Sequence, residues 1–129
     1  MINAIVSMPS PFYGNSITEA LTKTGKFRVR NLKRCSEKGI LTACRDARAD
    51  VVLMGVSVVQ SYTLPERTEI ARQIRARFPD CKIILFVDEN VSDAQTAGIT
   101  MLRQVRIIDG FLYASGSMEY LVATMESII

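Results

Sequence analysis

The stretch Val51-Val52-Leu53-Met54, followed by Gly55-Val56-Ser57, decides the fold of this chain. An unbroken apolar run led by two β-branched residues predicts a strand buried on both faces, the form a strand takes inside a parallel sheet. The same signal returns at Ile83-Ile84-Leu85-Phe86-Val87, and compact apolar runs at Ile2–Val6 and Phe111-Leu112-Tyr113 predict two further strands. Phe27 and Val29 alternate with Arg28 and Arg30, the period-2 pattern of a half-exposed strand.

Helical spacing fills every gap between these runs. Ser10-Pro11 reads as an N-cap with proline in the first turn, with Phe12, Ile17, Ala20 and Leu21 on the apolar face. Ser36 opens a second helix with Ile40, Leu41, Cys44 and Ala47 on one side. Pro65 opens a third, carrying Ile70, Ile74 and Phe78, and Pro79-Asp80 ends it. Ser92 and Gln95 form a capping-box pattern, followed by Ala94, Ala97, Gly98, Met101 and Val105 at helical spacing. Ser117 caps the last helix, with Leu121, Val122, Met125 and Ile128. Strand and helix thus alternate five times. A parallel pair needs a crossover, so this order predicts an α/β domain with helices on both faces of a parallel sheet.

At 129 residues and 48% apolar content the chain is one domain able to bury its own core. A net charge of +3 with 22% charged residues excludes disorder as the main state. No apolar run has the ~18 residues of a membrane span, and none follows a basic N-terminus as in a signal peptide, so the expectation is a cytoplasmic domain without a membrane contact. Histidine is absent, which removes the commonest general base and zinc ligand and every Ser-His or Cys-His dyad. Cys35, Cys44 and Cys81 are odd in number and lack a C-x-x-C spacing, so they read as small thiols in a reducing compartment. Residues 1–64 carry nine basic and four acidic groups, residues 65–129 seven and nine. The excess gathers at Lys23, Lys26, Arg28, Arg30, Lys33, Arg34 and Lys38. With no aromatic stacking platform beside it, this cluster reads as an edge strand guarded by charge, not as a nucleic-acid face.

Ligands of open α/β sheets bind beyond the carboxyl ends of the strands. The residues there are Ser7-Met8-Pro9, Gly55-Val56-Ser57, Asp88-Glu89-Asn90 and Ala114-Ser115-Gly116. Neither G-x-G-x-x-G nor G-x-x-x-x-G-K-[ST] occurs, so no phosphate-cradling loop is expected. Asp88 and Glu89 are the only acids on this edge, too few and too close in sequence for a divalent-cation site.

Three stretches carry a family resemblance: Ala49-Asp50-Val51-Val52-Leu53-Met54, the segment from Ile74 to Ile84, and Gly110-Phe111-Leu112-Tyr113-Ala114-Ser115 with Ser117-Met118-Glu119-Tyr120-Leu121. In order and spacing the whole chain resembles the receiver domain of two-component response regulators. The resemblance implies a doubly wound, flavodoxin-like sheet of five parallel strands in the order 2-1-3-4-5 with five helices. It makes residues 1–129 one receiver-like domain, with a C-terminal effector domain as a possible continuation of a longer regulator. The family transfers a phosphoryl group to an aspartate, with an acidic pair for Mg²⁺, a hydroxyl and a lysine around it.

By that resemblance the acidic pair falls on Met8 and Pro9, the acceptor on Gly55, the hydroxyl on Val87 and the lysine on Ala114, none of which does that chemistry. Sliding the alignment by one residue brings in Ser7 or Asp88, but no aspartate at the end of the third strand. Phe111 keeps the family's switch aromatic. The family's dimer or partner face, made by helix four, strand five and helix five, includes Met101, Val105, Phe111, Tyr113 and Tyr120, and the stretch from Gly98 to Asp109 adds Arg103 and Arg106. The leading expectation is a degenerate receiver: not an enzyme, without metal or cofactor, acting by association with a protein partner or with itself as a homodimer. It is not expected to bind nucleic acid or a membrane directly. The alternatives are a receiver with a displaced acceptor, Asp50 or Asp88, and a small-molecule binder using the apolar pocket at Met8, Gly55 and Val87.

Overall fold

A computed structural model describes residues 1–33 and 36–129, and the side chains of all of these except residues 93, 94 and 96. The readings of Arg34 and Cys35, and of Ala94 as a helix-face residue, lie outside what it describes. The elements are β1 (Ile2–Ser7), α1 (Pro11–Lys23), β2 (Phe27–Leu32), α2 (Glu37–Ala47), β3 (Val51–Val56), α3 (Leu64–Arg77), β4 (Lys82–Val87), α4 (Asp93–Gln104), β5 (Gly110–Tyr113) and α5 (Met118–Ile128). The five strands form one sheet in the order β2-β1-β3-β4-β5, every neighbouring pair parallel.

Alternation along β3 explains why its sequence is apolar without a break. Val52, Met54 and Val56 pack with Ile40 and Cys44 of α2, Ile70 and Ile74 of α3, and Ile99 of α4. Val51 and Leu53 point the other way, into a second core with Ile17 and Leu21 of α1 and Leu121 and Met125 of α5. Each such aliphatic side chain contributes about 1.5–3 kcal/mol on burial, so the two cores dominate the stability of the domain. β2 is an edge strand, where Phe27 is buried while Arg28 and Arg30 stand exposed, so these two members of the basic cluster lie along an edge.

Three of the four expected capping serines act as such. Ser36 accepts from Gly39 N at 3.2 Å, Ser92 from Gln95 N at 3.3 Å and Ser117 from Tyr120 N at 3.1 Å. Ser10 occupies the cap position of α1 without a side-chain cap bond. α3 begins one residue before Pro65, with Thr63 in the cap position.

Two apolar faces differ from the sequence reading. Phe12 is 73% exposed, because Gly14, Ile17 and Leu21 form the inner stripe of α1 and Phe12 sits about 200° round from Gly14. Met101 and Val105 are 63% and 59% exposed, while Ile99 and half-buried Leu102 face the core. Gly98 lies inside α4, so the connection to β5 is residues 105–109 alone, with Arg106 in the left-handed region at φ 62°.

Candidate functional site

The carboxyl rim of the sheet is built by Ser7 ending β1, Gly55-Val56-Ser57 leaving β3, Val87-Asp88 leaving β4 and Ala114 after β5. Gly55 faces Met8 and Pro9. A Cβ added to Gly55 would lie 2.5 Å from Pro9 Cδ and 3.0 Å from Met8 Sδ. Across the sheet Gly55 pairs in register with Phe86, whose ring meets Tyr13 at 5.3 Å between centroids. Met8, Phe86 and Ala114 belong to the core that α1 and α5 cover. The structure therefore gathers Met8, Pro9, Gly55 and Ala114 at one end of the sheet, filled by apolar atoms. Val87 departs from this group. It pairs with Val56, and its side chain enters the opposite core, because alternation puts Phe86 on Gly55's side.

The two acids considered as displaced acceptors separate. Asp88 lies on the rim, where its Oδ1 accepts from Asn90 N at 3.2 Å and its own N donates to Val56 O at 2.9 Å. Asp50 lies before β3, at the opposite end of the sheet, and its Oδ2 accepts from Asn3 N at 2.8 Å. Among the described residues, no group of three or more Asp, Glu, Cys or His side chains gathers to hold a metal ion.

Arg67 is the rim residue that sequence reasoning passes over. Although charged, it is 1% exposed. Its Nη2 donates to Ser7 Oγ at 3.1 Å, and its guanidinium carbon lies 4.4 Å from the centre of the Tyr62 ring. Ser7 is itself fully buried. Arg67 therefore ties the β3–α3 connection to the end of β1, one residue from Met8. The same connection is fastened outside by Glu66, whose Oε1 accepts from Thr63 Oγ1 at 2.8 Å and from Ser61 N at 2.9 Å. The hydroxyl of Thr63 foremost, helped by the amides of Ser61 and Thr63 and by the Arg67 charge, holds the Glu66 carboxyl below its ordinary value against the opposing effect of burial. Ser61 needs that anchor, since its φ of 77° is left-handed for a residue with a side chain.

A second feature lies on the side of the sheet formed by α4, β5 and α5. A groove of about 620 Å³ is lined by Arg103, Phe111, Tyr113, Tyr120, Thr124 and Ile128, among others. Tyr113 and Tyr120 are exposed, as are Met101 on α4 and Val105 at its C-terminal cap. Phe111 is half-buried against the core and meets Tyr113 edge-to-face at 5.8 Å.

No protein-family model matches this sequence, and no curated protein does. Solved structures share the fold. A DNA-binding response regulator of the LuxR family from Staphylococcus aureus aligns with TM-score 0.78 at 14% identity, over 99% of this chain and 98% of that one. The response regulator TrrA from Thermotoga maritima, solved with Mg²⁺ and a beryllium fluoride, aligns with TM-score 0.76 at 16% identity over the full length of both. The response regulator RcsB of Salmonella typhimurium aligns with TM-score 0.78 at 16% identity over 98% of this chain, which spans 60% of that one. The chain has the flavodoxin-like α/β fold of response-regulator receiver domains.

Proposed function

We propose that this chain is a receiver-like signalling module that works without phosphorylation, by protein association through the face formed by α4, β5 and α5. The single observation that carries this reading is the closure of the acceptor position. At Gly55 even a methyl group would overlap the Pro9 ring, and a ring fixed in its backbone yields little. A carboxylate, a phosphoryl group and a cation need far more room.

The remaining asset of the fold is surface. Met101, Val105, Tyr113 and Tyr120 give one side of the domain the aromatic and methionine content that protein interfaces favour. The partner is a second copy of this chain or an effector domain, and the response regulators of like fold, one described as DNA-binding, make transcription regulation the fitting output. Sedimentation velocity tests this. Association of the wild type is expected to be the same with and without Mg²⁺ and a small phosphodonor, and to be lost in the double variant Met101→Asp, Tyr120→Asp. Association that appears only with the phosphodonor would overturn the reading.

A further inference from the structure

Two of the three thiols come together in a place the proposed function does not use. Cys44 lies in the last turns of α2 and Cys81 immediately before β4, far apart in the chain and both within the core beneath α2 and α3. They are 1% and 2% exposed, and each side chain is the largest influence on the other's titration. Their backbones are fixed. Cys44 O accepts from Ala49 N at 3.0 Å, Cys81 N donates to Phe78 O at 3.0 Å, and Cys81 O accepts from Arg75 Nη1 at 3.4 Å. A cavity of about 290 Å³, lined by Arg45, Arg48, Phe78, Pro79 and both cysteines among others, leads to them from the end of α2.

We propose that Cys44 and Cys81 are a redox modification site, a dithiol that a peroxide converts into a disulfide clamping α2 to the turn between α3 and β4. The roles of the two sulfurs differ. The neighbouring Cys81 side chain holds Cys44 below its ordinary value despite burial, and Cys81 Sγ donates to Lys82 O at 3.7 Å. The Cys44 side chain beside it, then burial, pushes Cys81 far up. Cys44 is therefore the nucleophile and Cys81 the resolving thiol. The Cys44 thiolate attacks one oxygen of hydrogen peroxide and breaks the O–O bond, leaving Cys44 as a sulfenic acid and releasing hydroxide. The Cys81 sulfur then attacks the Cys44 sulfur. The S–O bond breaks, the hydroxyl leaves and takes the Cys81 proton as water. Overall two thiols lose two hydrogens and peroxide becomes two waters; a dithiol reductant reverses the change. The bond closes the chain from residue 44 to residue 81, a loop long enough for a disulfide to constrain the unfolded state strongly.

The test is peroxide treatment of the whole chain, followed by alkylation and a non-reducing tryptic map. The expected product is about 2 Da lighter and holds residues 39–45 linked to residues 78–82. Its thermal midpoint rises by roughly 5 °C or more and returns with dithiothreitol. Cys35→Ser is expected to leave the linkage unchanged. Cys81→Ala is expected to stop it and leave a sulfenic acid trappable at Cys44, a readout that needs no stability comparison. Cys44 and Cys81 both remaining alkylatable after peroxide, or pairing only with Cys35, would overturn the proposal.

Discussion

Gly55 and Arg67 carry the account at the residue scale. Gly55 is needed here for close approach, not for backbone freedom: the Pro9 ring occupies the space of its absent side chain. Gly55→Ala is expected to destabilise by about 1–3 kcal/mol through overpacking, read as a lower midpoint in urea unfolding. Gly55→Asp is expected to destabilise further and to remain unphosphorylated in intact mass after phosphodonor treatment. Arg67→Ala removes a charged hydrogen bond, an aromatic contact and buried volume together, and is expected to cost about 2–4 kcal/mol. Arg67→Met keeps most of the volume and is expected to cost less in the same unfolding experiment. The sequence did contain the signal for Arg67. It stands three residues before Ile70 and seven before Ile74, on the buried stripe of α3, but a charged residue does not register in a pattern of apolar spacing. That a glycine stands at the position the family resemblance gives the acceptor was legible from the sequence. The closing of its space was not, because it depends on how Pro9 crosses over β3.

At the scale of elements, apolar spacing located α4 but not its orientation. Met101 and Val105 are a true i, i+4 pair, yet Ile99 and Leu102 form the inner stripe, so one helix carries two apolar stripes. Period alone cannot rank two stripes; the sheet beneath decides. The capping serines were legible because side-chain oxygen at that position satisfies amides left open by the helix itself. The clasp between α3 and β5 was not. Arg75 Nη2 donates to Asp109 Oδ2 at 2.6 Å, and the same oxygen accepts from Ile83 N at 2.8 Å. Asp109→Ala is expected to cost about 2–3 kcal/mol, since a half-buried guanidinium and a strand amide lose their acceptor together. The β3–α3 connection adds a pH signature. Glu66 titrates below its ordinary value in the folded state, so its contribution is complete above the ordinary glutamate range and is lost as pH falls through the lowered value. The Ser61 amide resonance is expected to follow that acid titration, and Glu66→Gln is expected to abolish the midpoint.

At the scale of the whole molecule, the parallel α/β architecture was the most legible feature, and the family resemblance supplied the strand order. Five alternations of strand and helix leave few parallel arrangements once crossovers follow the general right-handed rule, and the two central apolar runs mark the buried strands β3 and β4. The charged alternation at Arg28 and Arg30 marked an edge for the same reason. The α4–β5–α5 face was legible as residue types but not as a surface: Tyr113 and Tyr120 are open, whereas Phe111 is half-buried. Tyr113→Ser is accordingly expected to leave the unfolding midpoint within about 0.5 kcal/mol of wild type while weakening association in sedimentation. The central claim is that the rim of the sheet no longer receives a phosphoryl group. Amide NMR during titration with beryllium fluoride and Mg²⁺ tests it most directly. The account predicts unmoved resonances at Gly55, Val87 and Phe111 throughout the titration; a saturable shift centred on those three residues would contradict it.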